Sequence, residues 1–139
     1  MEIEKVNKLM EEGLSCGQVV LRYFEDKINL DRKVLEKLSA GFEAGGFNGG
    51  KCGALLGAYT VLGLLKYNFD DESKVEMIRD IYSLNENFKK EFKTDICEQM
   101  LGKNPSTEIG LKEAMSEGKI QSTCPRAITL AIEEVEKCL

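Results

Sequence analysis

Residues 49–57 read GGKCGALLG and join a glycine-rich loop to an uncharged, apolar stretch. The apolar residues after Cys52 recur at helical spacing as far as Tyr67, which predicts an α-helix with a buried face. Gly53 and Gly57 share a different face of that helix, where the missing side chains let a neighbouring backbone approach closely. The stretch therefore predicts a central, buried helix that follows a glycine-rich loop.

Apolar residues keep the same helical period on both sides of this segment. Asp31 and Asp70 each precede an apolar stripe and are expected to cap helices. Residues 70–92 carry the longest seam and predict the longest helix. No stretch alternates as a strand does, so we expect an all-α fold in which residues 1–139 form a single compact bundle of five or six helices.

Near the carboxyl end of the chain, glycine and proline residues predict where helices begin and end. Residues 97–101 are predicted to form a short turn that Gly102 and Pro105 close. The run Thr123-Cys124-Pro125 is expected to begin the last helix, because proline is favoured at the first helical position. Cys124 would then stand at a helix start.

Charge and the amino terminus exclude several classes of protein. The chain carries 24 acidic and 19 basic residues, a net charge of −5, and no basic stripe for a nucleic-acid backbone. The opening MEIEKVNKLMEEG has no apolar signal-peptide core, and the uncharged run from Cys52 to Leu65 is shorter than the roughly 20 residues that cross a bilayer. We expect a cytoplasmic protein without nucleic-acid binding or membrane insertion.

The chain contains no histidine. This absence excludes Ser-His-Asp and Cys-His nucleophiles, HExxH zinc sites and histidine-ligated haem. The adjacent acidic pairs Glu11-Glu12, Asp70-Asp71 and Glu133-Glu134 point in different directions on a helix and offer no paired active site. Any catalytic, redox or metal-binding chemistry is therefore expected at the cysteine thiols.

Five cysteines are present, and four lie at or near predicted helix beginnings: Cys16, Cys52, Cys97 and Cys124. For any one of them, packing as a small apolar residue is an equal alternative. For Cys52, the helix dipole, the loop amides and Lys51 together predict a lowered thiol pKa and a thiolate near neutral pH. A phosphate loop is the other interpretation of residues 45–51, but no strand precedes it and Cys52 replaces the required Ser or Thr.

Cys138 is separated from this set by helix geometry. Cys138 follows Cys124 by fourteen residues, which is ~21 Å along a helix. The two cannot ligate one small centre, so Cys138 is interpreted as an inert apolar residue or as an intermolecular contact.

The run CGQVV at Cys16, the CGAxxG core of residues 45–57, the isolated Cys97 and the late Cys124 resemble the C-GCAxxG-C-C family of redox-active proteins. The likeness spans nearly the entire chain. The module is also similar to the non-haem part of split-Soret cytochromes c, which carries an iron–sulfur centre of the [2Fe–2S] type. The CxxCH haem segments of those cytochromes are absent here.

The resemblance implies that Cys16, Cys52, Cys97 and Cys124 gather at one site and either bind an iron–sulfur cluster or act as redox thiols. A cluster held by four thiolates is negatively charged, and the loop amides, Lys51 and Arg126 are expected to stabilise it. The chain lacks the CxxC pair from which most zinc and iron–sulfur sites draw two ligands.

Three functions stay open at this point. The first is an electron carrier or redox sensor with an iron–sulfur cluster and a redox partner protein. The second is a metal-free thiol–disulfide protein in which Cys52 attacks and a neighbouring thiol resolves. The third is a helical interaction domain whose cysteines pack or hold a structural zinc ion. A homodimer through the apolar end of the central helix, at Leu62, Leu64 and Leu65, would be ordinary for a redox bundle, although nothing in the sequence requires it.

Overall fold

The computed structural model describes residues 2–139, which fold into helices and short connections. The α-helices are α1 Glu2–Glu11, α2 Cys16–Tyr23, α3 Arg32–Ser39, α4 Gly53–Lys66, α5 Asp71–Phe92, α6 Cys97–Leu101, α7 Glu108–Ser116 and α8 Lys119–Glu136. A 3₁₀ turn, Ala40–Phe42, and a π-type turn, Gly45–Gly49, connect α3 to α4. The prediction of an all-α fold is confirmed.

The number of helices is not the predicted one. Residues 2–139 contain eight α-helices rather than five or six. Gly13, Gly102 and Gly118 adopt left-handed φ angles of 93°, 74° and 72°, and each stands where one helix has ended and before the next begins. Because glycine accepts this conformation without a steric penalty, these positions divide the chain into more and shorter helices.

The predicted caps and the longest helix are confirmed. The Asp31 carboxylate accepts a hydrogen bond from the Lys33 amide at 2.8 Å, and that of Asp70 accepts one from the Ser73 amide at 2.7 Å. Each side chain satisfies an amide that has no partner within its helix. Helix α5, which Asp70 caps, is the longest in the described chain at 22 residues.

The core lies between α2, α4, α5 and α8, and α1 packs along its edge. Its fully buried residues include Val19, Val20, Leu55, Ala58, Val61, Leu62, Leu84, Phe88, Ile128, Ala131, Ile132 and Val135. Helix α4 is apolar around most of its circumference, as expected of a helix that is covered by neighbours. No helix among residues 2–139 combines the length and the apolar character that crossing a membrane requires.

Helices α2 and α4 cross at glycines. A Cβ atom on Gly57 would lie 3.0 Å from the Gly17 carbonyl oxygen and 3.1 Å from the Val20 Cβ. The close approach that the sequence predicts for Gly53 and Gly57 is confirmed, and it brings the amino-terminal ends of α2 and α4 together.

The start of the last helix differs from the prediction. Helix α8 begins at Lys119, so Pro125 lies inside it and Cys124 does not stand at a helix start. Gly118 begins the helix by accepting a hydrogen bond from the Ser122 amide at 3.0 Å. Pro125 removes one backbone hydrogen bond of the helix. The packing of the long apolar face of α8 against the core compensates for that loss, so the helix continues through the proline.

Candidate functional site

The glycine-rich loop before α4 is held in an unusual backbone conformation. Ala44, Gly45, Gly46, Phe47 and Gly49 all have positive φ angles, between 53° and 72°. A Cβ on Gly45 would lie 2.5 Å from the Gly50 nitrogen, so that position requires glycine. The Gly50 amide donates to the Gly45 carbonyl at 3.1 Å and closes the turn. The loop is therefore a compact, specified structure that leads directly into Cys52.

Two main-chain hydrogen bonds join residues 50–52, which include Cys52, to residues 95–97, which include Cys97. The Cys52 amide donates to the Asp95 carbonyl at 2.8 Å, and the Cys97 amide donates to the Gly50 carbonyl at 2.6 Å. They form an isolated antiparallel bridge between Lys51 and Ile96, and no strand extends it within residues 2–139. Cys52 caps α4 and Cys97 is the first residue of α6, where the sequence predicts a turn. The bridge thus fixes two of the predicted site residues beside each other.

Cys16 is placed against Cys52 by the crossing of α2 and α4. It is the first residue of α2, as predicted, and Ser15 and Gln18 form a capping box around it. Its Sγ lies over Gly53, since a Cβ at that position would overlap the sulfur. Gly53 directly follows Cys52 in the chain. Glycine at position 53 therefore makes room for the Cys16 thiol at the start of α4.

Cys124 reaches the same region from α8. Together with Cys16 and Cys97 it lines a cavity of about 610 Å³. Cys52 does not line this cavity and is 7 % exposed. Three of the four predicted site residues therefore open on one cavity, and the fourth lies buried next to it.

The thiol pKa values report the same proximity. Burial raises the pKa of Cys16 well above its usual range, and negative charge on Cys52, Cys124 and Cys97 raises it further. Burial, together with negative charge on Cys52, raises the pKa of Cys97 to about 12. Burial and charge on Cys52 and Cys97 likewise raise the pKa of Cys124 to about 12. Charge on one thiol therefore raises the pKa of another, so the four are neighbours in a medium with little solvent.

The predicted thiolate at Cys52 is wrong for the protein without a bound group. Burial raises the pKa of Cys52, the backbone N–H groups of Ala54 and Leu55 lower it, and the Asp95 carboxylate raises it. The helix start acts in the predicted direction, but removal of the thiol from water has the larger effect.

The two cations expected near the sulfurs have other partners. The Lys51 ammonium lies 3.2 Å from the Asp95 carboxylate and donates to the Tyr59 hydroxyl at 3.2 Å. Arg126 pairs with Glu91 at 3.4 Å and lies over the Phe92 ring. Neither side chain contributes the predicted stabilisation of Cys52 or Cys124 in this structure.

Asp95 is a site residue that sequence reasoning misses. Its carbonyl accepts from Cys52, and its buried carboxylate pairs with Lys51 at 3.2 Å and with Lys89 at 3.6 Å. The only sign in the sequence is an acid two residues before Cys97, which is too common a pattern to identify a role.

We expect Asp95→Asn to lower the pKa of Cys52 in the metal-free protein, because a negative charge that opposes the thiolate is removed. The measurement is the pH dependence of iodoacetamide alkylation at Cys52, read by peptide mass spectrometry. Cys97 is the internal reference for opening of the same loop, since its pKa is not shifted by Asp95. A Cys52 titration that is unchanged relative to Cys97 would contradict the prediction, and Asp71→Asn is the matched surface control.

Cys138 lies apart, as predicted. It follows the end of α8, and its Sγ donates to the Glu134 carbonyl at 3.4 Å. Burial raises its pKa, and the charged groups that act on it are Asp80, Lys66 and Glu134 rather than the other thiols. Substitution of Cys138 is therefore a matched control for substitutions of the four clustered cysteines.

The clustered thiols are not arranged around a single point. In the part of the chain that the structure describes, no three cysteine, aspartate or glutamate side chains are grouped to hold one metal ion. The four thiols nevertheless lie in one region, and the chain contains no histidine whose imidazole could offer a different kind of metal ligand there.

Comparison with known proteins finds one family whose model covers most of the chain. A family model described as "Putative redox-active protein (C_GCAxxG_C_C)" matches residues 14–138. The matched segment contains all five cysteines, the glycine-rich loop and the cavity-lining helices α6 and α7. Neither a curated protein nor a solved structure matches the chain.

Proposed function

Since this chain belongs to the C_GCAxxG_C_C family of redox-active proteins, we propose that Cys16, Cys52, Cys97 and Cys124 bind an iron–sulfur cluster, of the [2Fe–2S] type, for electron transfer or redox sensing. The observation that carries the proposal is the convergence of these four thiols from α2, α4, α6 and α8 on one buried region. Four cysteine thiolates are the usual ligands of such clusters, and a bound cluster supplies one-electron chemistry.

The elements that present the thiols are suited to a fixed ligand set. The main-chain bridge holds the segments of Cys52 and Cys97 together, and the glycine crossing sets Cys16 over Gly53. Ligands on rigid elements need little reorganisation to receive a bound group. The ligand set therefore comes from four helices without any short CxxC loop.

Burial of the thiols favours a bound group over free thiolates. Each of the four has a raised pKa, so the metal-free site holds protons that a bound group would displace. Backbone N–H groups at Gly17, Ala54 and Leu55 point to the sulfurs of Cys16 and Cys52 and would stabilise negative charge there.

A two-iron cluster and a zinc ion make different demands on the thiols. Tetrahedral zinc needs four sulfurs about 2.3 Å from one point. The described residues contain no such grouping. A two-iron cluster distributes its four cysteines over two metals, so it does not need four sulfurs around one point.

We expect full-length protein that is purified without oxygen to contain iron and acid-labile sulfide in equal amounts and to absorb in the visible range. Serine in place of Cys16, Cys52, Cys97 or Cys124 should remove most of the iron, because each variant lacks one thiolate ligand. Cys138→Ser is the matched control and should retain the iron.

Other outcomes would contradict the cluster. Zinc without iron would assign a structural site, and the serine variants should then chiefly lose thermal stability. Protein that holds neither metal, with four titratable thiols, would assign thiol–disulfide chemistry. The opening of Cys16, Cys97 and Cys124 on one cavity is the observation that favours this second candidate, since a reagent can reach them there.

A further inference from the structure

We propose that the cavity beside Cys16, Cys97 and Cys124 is a binding site for an uncharged, largely apolar small molecule. The proposal goes beyond the redox site and holds whichever group the thiols bind. It rests on the size of the cavity, the character of its lining, the charges around it and the hydrogen bonds of its hydroxyl groups.

The cavity is larger than an inorganic cluster requires. Its volume of about 610 Å³ falls within the ~300–1,000 Å³ that is typical of small-molecule sites. At ~30 Å³ for each group the size of a water molecule, the cavity has room for on the order of 20 such groups. A [2Fe–2S] unit contains only four atoms. Most of the space would remain after a cluster is bound.

The lining is mostly apolar and comes from well-separated parts of the chain. Besides the three cysteines, its apolar residues are Met10, Ala44, Phe47, Leu101, Pro105, Leu111 and Ile120. Phe47 and Leu111 are 56 % and 40 % exposed, although both are large apolar residues. An apolar occupant would cover them and gain the free energy of removing both surfaces from water.

The charged residues of the lining exclude an anion. Glu43 and Glu108 are the charged lining residues, and no lysine or arginine from the described chain lines the cavity with them. Lys112, outside the lining, pairs with Glu108 at 3.3 Å. The Glu43 carboxylate would repel phosphate, sulfonate or carboxylate groups, and thiolate ligands nearby would add to this repulsion. The occupant is therefore neither a nucleotide nor an organic acid.

The hydroxyl groups of the lining are already engaged. Ser15 Oγ donates to Gln18 Oε1 at 3.2 Å, and Ser106 Oγ donates to Asn104 Oδ1. Thr107 Oγ1 donates to the Asn104 carbonyl at 3.0 Å and accepts from the Gly110 amide at 3.0 Å. Few donors are left for a polar ligand, so a molecule that demands few hydrogen bonds fits best.

The test is equilibrium dialysis of the anaerobically purified full chain with two probes that share an aromatic skeleton. N-phenyl-1-naphthylamine is uncharged, and 1-anilinonaphthalene-8-sulfonate carries a sulfonate. We expect the uncharged probe to bind at one site and at least about tenfold more tightly than the anionic probe, a difference of ~1.4 kcal/mol. Dialysis avoids quenching of the probe by a coloured cofactor.

The matched variants are Leu111→Trp and Ile109→Trp, both on α7. Leu111 lines the cavity, so the larger side chain should fill its mouth and weaken binding of the uncharged probe about tenfold. Ile109 is 72 % exposed and does not line the cavity, so its variant should bind as the parent does. No binding, equal affinity for both probes, or an unaffected Leu111→Trp variant would overturn the proposal.

The result is independent of the cofactor assignment. Probe binding by protein that lacks iron would sustain the cavity proposal and contradict the cluster. Iron-containing protein that does not bind the probe would contradict the cavity proposal and sustain the cluster.

Discussion

Gly53→Ala is expected to lower the free energy of unfolding by about 2 kcal/mol and to abolish the iron–sulfur binding that we propose for the four cysteines. A Cβ atom there would overlap the Cys16 sulfur and lie 2.5 Å from the Phe42 carbonyl oxygen. The oxygen belongs to the backbone of the Ala40–Phe42 turn, so the start of α4 must move away from that turn and from Cys16 at the start of α2. The Cys16 thiol would move with α2, and the four-cysteine site would lose its arrangement.

Gly63→Ala is the matched control, since it makes the same change in the same helix where nothing lies within 4 Å. Alanine is favoured over glycine within a helix by up to ~1 kcal/mol, so this variant should be slightly more stable than the parent. Thermal unfolding followed by circular dichroism measures both, and we expect Gly53→Ala to melt roughly 8 °C below the parent. Equal melting temperatures for the two variants would show that the crossing of α2 and α4 does not need glycine.

The reduced, metal-free protein is expected to lose stability steeply above about pH 9. The pKa of Cys97 and that of Cys124 are each raised from 9.0 to about 12 in the folded protein. Between these values the folded chain keeps protons that the unfolded chain releases, so the free energy of unfolding falls as pH rises. Below pH 9 both states are protonated and the thiols cause no pH dependence.

The effect of one thiol can be isolated with Cys124→Ser. At about pH 11 we expect Cys124 alone to reduce the free energy of unfolding by about 2 kcal/mol, after allowance for the solvent that reaches it. Urea unfolding at several pH values should therefore show a shallower decline for Cys124→Ser than for the parent. Ser122→Ala, a change on the same helix that removes no titrating group, should follow the parent. A parallel decline for Cys124→Ser would mean that its thiol is well solvated.

Much of the arrangement follows from local sequence signals. The carboxylates of Asp31 and Asp70 cap helices as their positions predict, because capping depends only on residues within one turn. The close packing at Gly53 and Gly57 was predictable because a glycine pair on an apolar helix face has few other uses. Cys16 and Cys97 begin helices, and Cys52 stands one residue before one.

Three predictions failed for tertiary reasons. Cys124 lies within α8, because core packing extends that helix past a proline. The pKa of Cys52 is raised, because burial depends on what covers the thiol. The Lys51 ammonium pairs with the carboxylate of Asp95, which is distant in sequence, and not with the Cys52 sulfur as predicted. The cofactor, the ligand set, the single domain over residues 1–139, the cytoplasmic location and the homodimer stay predictions.

The sequence by itself determined the helical class, the capped ends of α3 and α5 and the family, because periodicity, caps and motifs are local properties of the chain. Only the tertiary structure decided which of the thiols share the cavity, which is buried beside it, and which charges act on each one. Those quantities depend on desolvation and on through-space distances between α2, α4, α6 and α8, which residue spacing does not encode.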